Sequence, residues 1–219
     1  MIDHGVYPDG YEDTDGEVQE PRSLDAIRQA IAQSRSSLSP SRWSESEFRT
    51  FKRQNARASS ESQVMGNAIP LIAGSKEGRY VTTGGTLFSN LEKLHPNVTT
   101  PKPDKCSGAR QLGIDLRVRD ELDAYIIPSR NARLAAPNNF LAGKGPSGRA
   151  DVVQRQAMYD GVVGARGMFQ WQNYGNPTPT YNGNAHTLAS SYCDGQLKIY
   201  GKQPIQLHLL SQEAIHSIT

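Results

Sequence analysis

Asp194-Gly195 lies between two β-prone runs, Ala185–Tyr192 and Gln196–Tyr200. An Asp-Gly pair in that setting signals a two-residue hairpin, because both central positions of the favoured turn need positive φ. Upstream, residues 151–166 carry a helical pattern. Val152, Gln156, Tyr159 and Val163 recur at spacings of 4, 3 and 4 and are predicted to form the face that packs on a sheet. Before them, Asn139–Gly143 reads as a strand bounded by Pro137 and by Gly145-Pro146. A strand, a long helix and a hairpin in that order predict an α/β chain, with helices packed on a mixed sheet.

The first half is less regular. Ser23 is positioned to cap a short helix whose Leu24, Ile27 and Ile31 share a face, and Ser34–Ser41 reads as a Ser-rich linker. Ser44 and Glu47 have the spacing of a capping box, so a second helix is predicted from Ser44 through Met65. Phe48 and Phe51 lie on one face of it, and Arg49, Lys52, Arg53 and Arg57 occupy the rest. Gly74–Gly85 reads as a turn-rich loop, Thr86–Phe88 and Ala124–Ile127 as strands, and Arg117–Leu122 as a helix.

Several function classes are excluded. No apolar run approaches the ~18 residues of a transmembrane helix, so no membrane partner is expected. The start has no basic region followed by an apolar core, which argues against a secretory signal and for an intracellular place, nuclear or cytoplasmic. Two cysteines, Cys106 and Cys193, make no disulfide framework, and five scattered histidines make no zinc motif. Gly143-Lys144 fails the phosphate-loop pattern, because Gly145 stands where Ser or Thr is required. The net charge of +2 is uneven. Residues 1–20 hold seven of the 22 acids and no Lys or Arg, which leaves a mildly basic body behind an acidic arm.

One constellation fits metal-dependent phosphodiester hydrolysis. That chemistry needs carboxylates to hold a divalent cation, which clamps charge and activates a water. A lysine near the scissile phosphate stabilises the charge that develops. An Asp at one strand and an acid-x-Lys triplet on the next supply these parts, since residues i and i+2 of a strand face the same way. Pro103-Asp104 offers the first carboxylate, and Ala142-Gly143-Lys144 ends in the lysine. Gln156 on the following helix has two readings: it reaches the same region, or it caps the buried end of the sheet.

The residues P-K-P-D at 101–104, G-A-R at 108–110, I-I-P-S at 126–129, P-N-N-F-L-A-G-K-G-P at 137–146 and R-Q-A-M-Y-D-G at 155–161 together resemble a large group of uncharacterised fungal proteins. That group is related to the PD-(D/E)XK nuclease-like superfamily. The similarity extends over residues 2–204 and is strongest from 101 to 200. It implies a restriction-endonuclease-like mixed β-sheet flanked by helices. It implies Asp104 as a metal ligand, Lys144 as the catalytic lysine, Gln156 in the helix bordering the site, and Glu47 as an additional acidic ligand.

Two departures qualify the resemblance. Ala142 stands where the group carries Glu, so Mg²⁺ binding is expected to be weakened. Asp151 and Glu121 are the acids considered as replacements. The resemblance also fades after Pro204, so part of the family's C-terminal region is expected to be missing. The chain therefore divides into an acidic arm with a short helix and linker (1–41), a nuclease-like domain (42–204) and a divergent tail (205–219). The expected function is a catalytically impaired nuclease-like or nucleic-acid-binding protein. The alternatives are an active Mg²⁺-dependent endonuclease with a migrated acid, and a non-enzymatic interaction module or gene fragment.

Overall fold

In the computed structural model, residues 10–204 are described, apart from 13–15, 19, 37–38, 40, 74–79 and 131–132. Five strands form one mixed sheet in chain order: β1 (Val81–Thr83), β2 (Lys105–Arg110), β3 (Leu134–Gly143), β4 (Thr187–Cys193) and β5 (Gln196–Lys202). Neighbours are antiparallel except β3 and β4, which run parallel. Parallel neighbours need a long crossover, and helix α7 (Ala150–Gln172) supplies it. The α/β expectation therefore holds. The hairpin holds too: β4 and β5 pair down to Cys193 opposite Gln196, and the turn residues Asp194 and Gly195 take φ of 48° and 76°.

Residues on β3 and β4 alternate between two packed layers, as the pleat requires. Phe140, Ala142 and Ala189 face α7 in a core with Phe88, Val153 and Ala157. Leu141 and Tyr192 face the other way, against Ala58, Val64, Ala68 and Ile69. Between β2 and β3 the register jumps from Ser107 opposite Asn139 to Ala109 opposite Ala135. The extra residues bulge at Ala136, whose φ is 43°. Gly108 faces this bulge, and a Cβ there would lie 2.5 Å from the Ala135 carbonyl oxygen.

The structure corrects the reading of α7. Its buried residues include Val153, Ala157, Asp160, Gly161, Val163, Gly164 and Gly167, while Val152 is 38% exposed and Gln156 and Tyr159 are half-buried. Of the predicted face Val163 is buried in the core and Tyr159 packs against its edge. The physical reason is close approach: a Cβ on Gly161 would lie 2.9 Å from the Ala189 Cβ, and one on Gly164 would lie 2.4 Å from the Phe140 ring. The face is built from small residues, which a search for bulky apolar periodicity passes over.

Other predicted boundaries move. Helix α1 (Leu24–Ala32) forms, but Ser23 does not cap it; its Oγ accepts from the Ala185 N–H at 3.1 Å and ties the arm to the body. Helix α2 (Glu45–Arg57) forms with its capping box, then stops at the extended Ala58 rather than running to Met65. Ser60 starts a new helix, α3 (Glu61–Gln63), which continues through a π-helical turn (Val64–Ala68) into α4 (Ile69–Ala73).

Thr86–Phe88 is not a strand; β1 lies just before it, inside the predicted loop, and Phe88 is a fully buried core side chain. The segment predicted as a strand at Ala124–Ile127 is helical. Helices α5 (Leu116–Glu121) and α6 (Asp123–Ile126) follow each other and bury Ile126 against the far end of the sheet. Among the described residues no helix is long and apolar enough to cross a membrane. The tail predicted at 205–219 lies outside the described residues.

Candidate functional site

Lys105 pairs with Leu141, which places Asp104, just before β2, beside the end of β3. The contact is direct: the Gly143 N–H donates to Asp104 Oδ2 at 2.9 Å. The Lys144 N–H donates to the Tyr192 carbonyl at 2.9 Å, so the chain leaving β3 stays held to β4. Asp104 and Lys144 are thus gathered at neighbouring strand ends. Ala142 lies between them in sequence with its methyl fully buried in the layer that faces α7.

The acid that meets Lys144 is Glu61. Its Oε2 forms an ion pair with the Lys144 ammonium, and both side chains are partly shielded. The two segments approach closely because Gly145 lies against the start of α3, where a Cβ would be 2.9 Å from the Glu61 nitrogen. Ser60 Oγ accepts from the Gln63 N–H at 3.3 Å, and Gln63 Oε1 accepts from the Ser59 N–H at 2.8 Å. The spacing Ser60-x-x-Gln63 is itself a helix-start signature, so the sequence held a signal for this turn.

Glu47 is engaged elsewhere. It accepts from the Ser44 N–H at 2.6 Å and the Ser44 hydroxyl at 2.9 Å. These bonds hold its carboxyl below the usual range and close the first turn of α2. Gln156 is half-buried on α7 and makes no side-chain hydrogen bond to Asp104 or Lys144. Asp151 is held by Arg149 and Arg155, each at 2.9 Å, and its carboxyl is lowered chiefly by the Arg149 hydrogen bond. Glu121 accepts from Arg117 at 2.7 Å and from the Tyr174 hydroxyl at 2.9 Å, and Arg117 lowers its carboxyl.

A residue not anticipated from sequence lies behind the site. Asp160 is 2% exposed on the sheet-facing side of α7, and its Oδ2 has no hydrogen-bond partner. Burial, and then the charge of Asp104, push its carboxyl up to about 8. Cys106 shares this environment, and burial, with Asp160 adding, pushes its thiol up to about 12. That thiol is inert as a nucleophile. Among the described residues no three His, Cys, Asp or Glu side chains gather as a ready-made metal cluster.

Arg49 pairs with Glu45 at 3.1 Å, and Lys52 lies 5.7 Å from the Phe48 ring, both on the exposed side of α2. Phe169 stacks on Tyr181 at 4.6 Å, and Trp171 and Tyr174 pack against the core beside α6, so these aromatics fill structure. An open cavity of about 390 Å³ lined by Gln111, Arg119, Asp120, Asp123, Ile127 and Arg130 lies past the C-terminal end of β2, away from Asp104. No family model matches the chain, and neither curated proteins nor solved structures gave a match.

Proposed function

We propose that this chain is a nuclease-fold protein with a degenerate metal site, which binds nucleic acid and is impaired in cutting it. One observation carries the reading. Asp104 is hydrogen-bonded to the backbone of Gly143, next to Lys144, while the residue two positions before the lysine is the fully buried Ala142. Asp104 and Lys144 at neighbouring strand ends are compatible with phosphodiester chemistry, and position 142 offers no carboxylate. A divalent cation bound there would supply charge neutralisation and an activated water. Asp104 would hold it, and Lys144 would meet the phosphate once released from Glu61.

The mildly basic body supports the same reading, because phosphate contacts by Lys and Arg supply affinity without sequence information. The restriction-endonuclease-like fold belongs to this proposal as well. Its support is the crossover from β3 through α7 to a parallel β4, with Asp104 and Lys144 at the shared strand ends.

The test compares wild type, Lys144→Ala and Ala142→Glu on labelled single- and double-stranded DNA and RNA, with and without Mg²⁺ or Mn²⁺. Wild type is expected to bind in a salt-dependent manner and not to cut, and Ala142→Glu to cut. A melting curve shows whether the buried Glu is tolerated. Absence of binding by wild type even at low salt overturns the reading.

A further inference from the structure

We propose that Asp160 supplies the second carboxylate of this site from the helix side, so that Asp104 and Asp160 together take a hydrated divalent cation despite Ala142. The inference rests on the site reading above and names the group that compensates for the missing Glu.

The first argument is the unmet oxygen. Asp160 is 98% removed from solvent, since its exposure is 2%, and its Oδ2 has no partner. A carboxyl oxygen kept inside a core without a partner lowers stability, and such groups concentrate where function requires them. The second is placement. Lys105 pairs with Leu141, so Asp104 stands level with Ala142, and Ala142 shares its core layer with Ala157, one turn before Asp160 on α7. A divalent ion held between two carboxylates is the largest local charge in such a site and offsets their like charge.

The third argument is the side from which the acid enters. Asp160 lies one turn beyond Ala157 and next to Gly161, and Gly161 approaches the Ala189 methyl. Ala142, Ala157 and Ala189 belong to the same core layer. A Glu at 142 would enter this layer from the strand; Asp160 enters it from the helix. Exchanging a long acid on β3 for a short one on α7 keeps a carboxylate in place. The fourth is elimination. Glu61 is paired with Lys144, Glu47 closes its helix cap, and Asp151 and Glu121 are tied to arginines. Two carboxylates suffice, because Mg²⁺ keeps several waters and is commonly held by one or two protein carboxylates.

Mn²⁺ alone, titrated into the full chain and followed by electron paramagnetic resonance, tests the proposal without any nuclease readout. Wild type is expected to bind one Mn²⁺, and Asp104→Asn and Asp160→Asn each to weaken it by about tenfold or more. Asp160→Glu, which keeps a carboxylate, is expected to retain more affinity than Asp160→Asn. A second measurement needs only wild type. With methyl-labelled alanine, Mn²⁺ should broaden the Ala142, Ala157 and Ala189 signals before those of distant alanines. The proposal is overturned if wild type takes up no Mn²⁺, if Asp160→Asn binds like wild type, or if those three methyls stay sharp while Mn²⁺ binds. Nucleic-acid binding by wild type in EDTA is scored separately. If it persists while Mn²⁺ binding is absent, the assignment of Asp160 fails and the binding function stands.

Discussion

Burying Asp160 makes the stability of the metal-free protein depend on pH with a definite sign. In the unfolded chain this carboxyl titrates near its ordinary 3.8; in the fold it is pushed up to about 8, first by burial and then by Asp104. Between those values the folded state holds a proton that the unfolded state has lost. Stability is then full below about pH 4 and falls as pH rises through the folded value. At 1.36 kcal/mol per unit, the difference comes to on the order of 5 kcal/mol. Set against a typical domain stability of about 5–15 kcal/mol, this is a large fraction.

Asp160→Asn removes the titration and keeps the shape. Urea unfolding of both proteins from about pH 5 to pH 8, without divalent ions and at fixed ionic strength, isolates the effect, since all other groups titrate in both variants. The difference in unfolding free energy should swing toward Asp160→Asn by several kcal/mol across that range. Parallel pH profiles for the two proteins would refute the reasoning.

Three further outcomes follow from packing and pairing. Gly164→Ala puts a methyl 2.4 Å from the Phe140 ring and 2.8 Å from the Pro137 carbonyl oxygen. It should destabilise by about 1–3 kcal/mol, while Gly113→Ala, which meets nothing within 4 Å, should stay within about 0.5 kcal/mol by the same urea assay. Ser44→Ala removes the cap on α2, in which Ser44 Oγ accepts from the Glu47 N–H at 3.3 Å, and should cost about 1 kcal/mol in urea unfolding. Glu61→Gln takes the counter-charge from Lys144; filter binding should then show tighter DNA binding at low salt, and the gain should shrink as salt screens the freed ammonium.

The sequence made the parts governed by local rules visible. Asp194-Gly195 sets its own turn through positive φ, and Ser44-x-x-Glu47 closes its own cap, so both were readable without knowledge of the rest of the chain. Pro103 and Gly145-Pro146 marked two strand ends, and Asp104 and Lys144 lie at them; the family resemblance, not this punctuation, singled the two residues out. Contacts between distant segments were not readable. Glu61 meets Lys144 because Gly145 lets α3 approach β3, a consequence of tertiary packing across 83 residues of sequence. Glu47 matched the expected place in the chain, yet its carboxylate is consumed by its own helix start. Asp160 was hidden because the sheet-facing side of α7 mixes Ala157, Gly161 and Gly164 with Val153 and Val163, and an acid among such small residues does not interrupt any visible bulky apolar stripe.

If Asp160 stands in for the lost strand acid, then residues 142 and 160 act as one unit, and changing them separately or together must give different results. Ala142→Glu alone adds a third carboxyl to a layer already holding Asp104 and Asp160, and adds atoms where Ala142 is fully buried. Overpacking costs about 1–3 kcal/mol, and like charges in a shielded layer add to it. Ala142→Glu with Asp160→Ala removes both the second like charge and part of the crowding. The double variant should therefore unfold at higher urea than Ala142→Glu alone, with a coupling of about 0.5–3 kcal/mol. It should also hold Mn²⁺ better than Asp160→Ala, because a carboxylate again reaches the layer from the strand. Additive stabilities, together with no recovery of Mn²⁺ binding, would mean that the two positions face different spaces. That result would break the exchange on which the assignment of Asp160 depends.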